Sequence, residues 1–190
     1  MTGIILSGGG NTRMGRNKAF LRVGGERLID RTVRLFRSLF KEVIIVAANP
    51  LDYLDQDAVI VTDILPGRGA LGGLYTGLFN TAEEYAFVTA CDIPFLNRAF
   101  LEYLASRADG YDIVVPAPPD GLHPLNAVYS RRCLPAIRSL LDRDRLQIKE
   151  FYPGQKILRI EPDILRSFDP EGRMFINVNT PEDFQNLPPL

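Results

Sequence analysis

Short apolar runs alternate with amphipathic stretches along the chain. Gly3–Ser7, Val43–Ala48 and Tyr85–Cys91 are almost continuously apolar, the pattern of strands covered on both faces. Ala58–Thr62, Asp112–Pro116, Asn126–Ser130, Ile157–Ile160 and Met174–Val178 read as further strands. Leu28–Phe40 sets Ile29, Val33, Phe36 and Phe40 at helical spacing, with Asp30, Arg31, Arg34 and Arg37 on the opposite face. Helices are also predicted at Leu74–Thr81, Phe95–Ser106 and Leu134–Leu141. Thr180-Pro181-Glu182-Asp183 carries the cap, the proline and the first-turn acids of a helix start. This alternation predicts an α/β fold with a mostly parallel central sheet between helices. No repeat, low-complexity stretch or linker interrupts it, so residues 1–190 read as a single domain.

Composition narrows the class. At 46% apolar and 24% charged residues the chain fits a globular protein. A net charge of -1, from 22 basic and 23 acidic side chains, argues against general nucleic-acid binding but not against a small anionic ligand. Cys91 and Cys133 lack metal-ligand or disulfide spacing. An early charged residue argues against a secretory signal, and no apolar run approaches the roughly 20 residues of a membrane span, so a cytoplasmic location is expected.

On parallel sheets, ligands bind beyond the carboxyl ends of the strands. The first predicted strand runs into Gly8-Gly9-Gly10, with Arg13, Arg16, Lys18 and Arg22 close behind. Glycines let several backbone N–H groups approach one ligand, and the cations suit it to a polyphosphate. The segment is not a P-loop, because Lys18 follows Asn17 and precedes Ala19; nor is it a dinucleotide fingerprint, because position 13 is arginine. Asp63 and Asp92 also stand at strand ends. A carboxylate such as Asp92, at the end of an apolar strand, is costly without a partner, and a cation beside it removes that cost.

The stretch L-S-G-G-G-N-T-R-M-G-R-N-K, residues 6–18, resembles the signature loop of nucleotidyltransferases that activate cofactors, sugars and lipids. Its Leu-Ser-Gly-Gly start is similar to the molybdenum cofactor guanylyltransferase family. GALGGLYTGL, TACDIPFL, HPLNAVYSRRCLPAI and INVNTPEDF resemble later segments of that family, in the same order. The resemblance implies a Rossmann-like three-layer sandwich of the nucleotide-diphospho-sugar transferase type. It implies transfer of GMP from GTP to molybdenum-molybdopterin, with Mg²⁺ as cofactor and pyrophosphate as product. It implies catalytic roles for Arg13, Lys18 and Asp92. GTP contacts fall to Leu6, Ser7, Gly8, Gly9, Lys18, Asn49, Asp63 and Asp92, and the metal to Asp92. Asn177 and Asn179, placed on one face of the last predicted strand, are assigned to the metal shell or the pterin side. Molybdopterin-loading proteins and molybdoenzymes are the implied transient partners.

Plain alternatives stand beside these assignments. Asp92 and Asp63 also suit turn caps, and Asn49 before Pro50 is ordinary turn chemistry. Gly69, Gly72 and Gly73 suit either close approach to a purine or tight helix–sheet packing. His123 is not required as a base, because a phosphate monoester is already ionised near neutral pH. Arg131-Arg132 suits an anionic acceptor or a solvated helix start. Family members often carry a bulky apolar residue where Asn126 stands. A cytidylyltransferase using CTP and a non-catalytic nucleotide-binding module that delivers cofactor are the rival readings.

Overall fold

The structure, a computed structural model, describes residues 1–8 and 17–188. Nine strands are described: β1 (Thr2–Ser7), β2 (Arg22–Val23), β3 (Glu26–Arg27), β4 (Glu42–Ala47), β5 (Val59–Thr62), β6 (Tyr85–Ala90), β7 (Ile113–Pro116), β8 (Asn126–Ser130) and β9 (Ile157–Ile160). The described helices are α1 (Leu28–Arg37), α2 (Gly69–Asn80), α3 (Arg98–Ser106), α4 (Leu134–Leu141), α5 (Pro162–Phe168) and α6 (Pro181–Gln185). None of them is long and apolar enough to cross a membrane.

Seven strands form one sheet in the order β5-β4-β1-β6-β8-β7-β9, and β8 alone runs antiparallel to its neighbours. The centre explains the sequence pattern. β1 is buried along its whole length between β4 and β6, so both its faces must be apolar. On one face, Ile29, Val33 and Phe36 of α1 and Phe100, Leu101 and Leu104 of α3 pack with Ile5, Ile45 and Phe87. On the other, Leu71, Leu74 and Leu78 of α2 and Ile137 and Leu140 of α4 pack with Ile4, Leu6, Ile44 and Val46. Helices on both faces make three layers.

Gly3 shows how tightly the first layer closes. A Cβ there would stand 2.6 Å from Cδ2 of Phe40 and press on Phe36 as well. Those rings cannot swing away: Phe36 meets Phe40 edge-on at 5.0 Å, and Phe40 stacks on Phe87 at 5.9 Å. Overpacking of this kind costs about 1–3 kcal/mol, more than the roughly 0.5–1 kcal/mol gained by replacing a strand glycine. Gly3→Ala is therefore expected to lower unfolding stability by about 1–2 kcal/mol in urea titration; an unchanged midpoint would contradict this packing.

The structure corrects several sequence expectations. Met174–Val178 is not a strand. Arg173–Phe175 forms a 3₁₀ turn, started by Gly172 at φ 70° and fastened by the Met174 N–H on Asp169 Oδ2 at 2.6 Å. Helix α2 starts at Gly69, so Gly72 and Gly73 lie inside it rather than in a loop before it. Helix α3 starts only at Arg98, where Asn97 Oδ1 caps the Phe100 N–H at 3.0 Å. The hairpin β2–β3 and helix α5 have no counterpart in the sequence reading. The hairpin turns on Gly24 and Gly25, both at positive φ, as a two-residue turn of the primed type requires.

Candidate active site

The parallel strands bring their carboxyl ends to one edge of the sheet. Ser7 pairs with Ala47, Ala47 with Thr62, and Leu6 with Ala90. Gly8, Asn49, Asp63 and Asp92 therefore all emerge beyond the same edge. Gly9 and Arg13 lie outside the described residues.

Lys18 and Asp92, far apart in sequence, meet at this edge. Lys18 Nζ is 3.7 Å from Asp92 Oδ2 and donates to Asn179 Oδ1 at 2.9 Å. Both charged side chains are largely enclosed, at 16% and 20% exposure, so water screens the pair only partly. Burial pushes the Asp92 carboxyl above its ordinary range, and the Lys18 charge pulls it back. Asn179 is placed from the C-terminal side. Its N–H and that of Thr180 both donate to Asp183 Oδ2, while Thr180 Oγ1 accepts from the Asp183 N–H, a capping box at the start of α6. Val178 N–H donates to the Asp92 carbonyl at 2.9 Å and fastens this segment beside β6. Asn177 and Asn179 thus share a cleft without being on a strand.

Two clefts open at this edge, and Asp92 lines the second of them. One, of about 280 Å³, is walled by Leu6, Gly8, Ala48, Asp63, Gly67, Gly69 and Gly73. Its mostly apolar walls and few polar groups suit a flat base. The other, of about 400 Å³, is lined by Ala90, Asp92, His123, Leu125, Asn177 and Asn179.

Not all of the remaining sequence candidates reach these clefts. Asp63 Oδ1 accepts from Thr76 Oγ1 at 2.9 Å and from the Leu65 N–H at 3.1 Å, which fixes the turn after β5. Its Oδ2 faces Gly72, where a Cβ would lie 3.4 Å away. Gly72 serves this close packing, whereas Gly69 and Gly73 line the first cleft. The Asn49 amide donates to Asp52 Oδ1 at 2.8 Å on the exposed rim. His123 packs on Phe175 with ring centroids 4.5 Å apart, and its Nε2 is 3.2 Å from Asp120. Asn126, next to Leu125 of the second cleft, is buried: its Nδ2 donates to the Met174 carbonyl at 3.3 Å, and Oδ1 has no hydrogen-bond partner among the described residues. Arg131 and Arg132 follow Ser130, which pairs with Tyr85 at the start of β6. They stand at the opposite end of the sheet from Asp92, so an acceptor role at this edge is ruled out. Arg132 instead pairs with Asp112 at 3.2 Å.

One element of the site carries no sequence signal. Tyr53, on the 3₁₀ turn Pro50–Tyr53 after β4, bonds Ser7 Oγ at 2.5 Å and accepts from Asn17 Nδ2 at 2.8 Å. Burial raises the pKa of its phenol, which stays neutral. Cys91 is equally inert: burial pushes its thiol up to about 11, against a hydrogen bond from Ser7.

A magnesium ion usually takes one or two carboxylates and completes its shell with substrate phosphates and water. Among the described residues no three His, Cys, Asp or Glu side chains gather into a cage. Asp92, half-desolvated with one cation beside it, fits the open type of site in which the substrate supplies most ligands.

Residues 3–158 match the model of the MobA-like NTP transferase domain. A molybdenum cofactor guanylyltransferase from Desulfosudis oleivorans is 42% identical over 97% of this chain and 93% of its own length. A probable molybdenum cofactor guanylyltransferase from Pelotomaculum thermopropionicum is 36% identical over 96% of this chain and 89% of its own. The crystal structure of molybdopterin-guanine dinucleotide biosynthesis protein A from Archaeoglobus fulgidus superposes with a TM-score of 0.84 at 25% identity, covering 97% of this chain and 95% of that one.

Proposed function

The chain belongs to the MobA-like NTP transferase family, and from that membership we propose that it transfers GMP from GTP to molybdenum-molybdopterin, releasing pyrophosphate. The single observation that carries the site assignment is the meeting of Lys18 and Asp92 at the carboxyl edge of the sheet, where Asp92 lines one of two clefts. One cleft takes the nucleoside and the other the pterin phosphate, so the α-phosphorus comes to lie between them.

The chemistry sets the demands. A phosphate oxygen of the acceptor forms a bond to the α-phosphorus, and the bond from that phosphorus to the bridging oxygen of pyrophosphate breaks. Nucleophile, centre and leaving group are all anionic, so catalysis consists of positioning and charge neutralisation. No side chain has to take a proton, because the acceptor phosphate is already ionised. Lys18 meets the α-phosphate, where a fixed ammonium in a half-enclosed site opposes the growing charge better than water does. Backbone N–H groups from Leu6 to Gly8 cradle the phosphates, and the family resemblance assigns Gly9 to the same cradle and Arg13 to the pyrophosphate. Asp63 and Asn49 contact the nucleoside side. Asn177 and Asn179 hold the pterin phosphate, with Asn179 already on the Lys18 ammonium. Asp92 would hold Mg²⁺, which when bound would neutralise part of the phosphate charge.

The test is transfer of label from [α-³²P]GTP to molybdenum-loaded pterin by the pure protein with magnesium, run beside [α-³²P]CTP. Label moving from GTP in preference to CTP supports the proposal. Preference for CTP reassigns the chain to cytidyl transfer, and GTP binding without pyrophosphate release reduces it to a carrier of cofactor.

A further inference from the structure

We infer that the Tyr53 hydroxyl is a positioning residue for nucleotidyl transfer, clasping Ser7 and Asn17 together so that Lys18 is aimed at its partner Asp92. The inference rests on the proposed role of Lys18 at the α-phosphate.

Ser7 ends β1, and Asn17 immediately precedes Lys18, so the two are the flanks of the glycine-rich segment. Tyr53 reaches both. Its oxygen lies 2.5 Å from Ser7 Oγ and 2.8 Å from Asn17 Nδ2. Asn17 then uses its other amide atom: Oδ1 accepts from the Ala19 N–H at 3.1 Å and caps the short turn Lys18–Phe20. Both ends of the amide are thus committed beside Lys18, whose ammonium reaches Asn179 and Asp92.

The ring of Tyr53 is held independently of its hydroxyl. It is 1% exposed and packs on Phe20 with centroids 5.3 Å apart. Phe20 is covered in turn by the Arg27 guanidinium at 5.5 Å, which is fixed by Asp30 and Asp55. Packing therefore places the phenol, and the hydroxyl does the clasping. A single partner would satisfy a buried hydroxyl. Here both partners belong to the flanks of the phosphate-side segment.

The test uses four proteins: wild type, Tyr53→Phe, Lys18→Ala and the double variant. Steady-state kcat, KM for GTP and melting temperature are measured for each. Tyr53→Phe keeps the ring, so the melting temperature changes little while kcat falls about tenfold, because a displaced charge loses its transition-state contact. In the Lys18→Ala background the same change lowers kcat less than about twofold, since a residue acting through the lysine has nothing left to aim. Asn17→Ala breaks the clasp from the other side and shows the same dependence on Lys18, which keeps the test sharp should Tyr53→Phe fold poorly. An equal tenfold loss in both backgrounds overturns the inference, as does wild-type kcat in Tyr53→Phe while Lys18→Ala is impaired. Wild-type kcat in Lys18→Ala fells the underlying assignment of the lysine, and the clasp with it.

Discussion

Lys18→Ala lowers kcat for GMP transfer about 100-fold, at the lower end of what losing one preorganised group at a developing charge costs. Its ammonium is held between Asp92 and Asn179 in a half-enclosed site, so no water molecule can replace a full positive charge at that point. The contact strengthens as charge builds on the α-phosphate, so kcat and kcat/KM fall together. The fold is barely touched, because the ion pair is a 3.7 Å contact at the sheet edge rather than part of either core layer. Steady-state kinetics beside a thermal melt check this. A kcat within about threefold of wild type would remove Lys18 from the reaction centre.

Asp92→Ala has an effect of the same order, about 100-fold in kcat, with a second signature. In the wild type, magnesium tightens GTP binding measured by calorimetry; in the variant that difference disappears. Stability does not suffer, since removing a carboxylate that burial already disfavours relieves a desolvation cost. A variant whose GTP affinity still responds to magnesium would move the metal elsewhere.

The core of the sheet could be read from the chain because its strands are apolar on both faces. Leu6, Val46 and Val88 sit in short runs that are almost continuously apolar, as expected for strands of a sheet covered on both faces. The weaker elements escaped for physical reasons. Strands β2 and β3 have two residues each, too short for any alternation to appear. Helix α5 buries only Leu165, so it has no apolar stripe. The segment after Gly172 alternates like a strand, but the Asp169 carboxylate and the left-handed glycine turn it instead. At the site, residue types and motif order pointed to Lys18 and Asp92. Their 3.7 Å approach depends on β1 and β6 being neighbours, which no local pattern encodes. The Tyr53 hydroxyl was invisible for the same reason, since both its partners come from distant parts of the chain.

Crystals grown with a non-hydrolysable GTP analogue and manganese in place of magnesium offer the most direct test. Convergence of a cation and a carboxylate on one triphosphate requires an anomalous peak at the Asp92 carboxylate, Lys18 Nζ on an α-phosphate oxygen, and the base in the cleft between Gly8 and Asp63. A well-ordered nucleotide whose phosphates touch neither Lys18 nor a metal on Asp92 would contradict it.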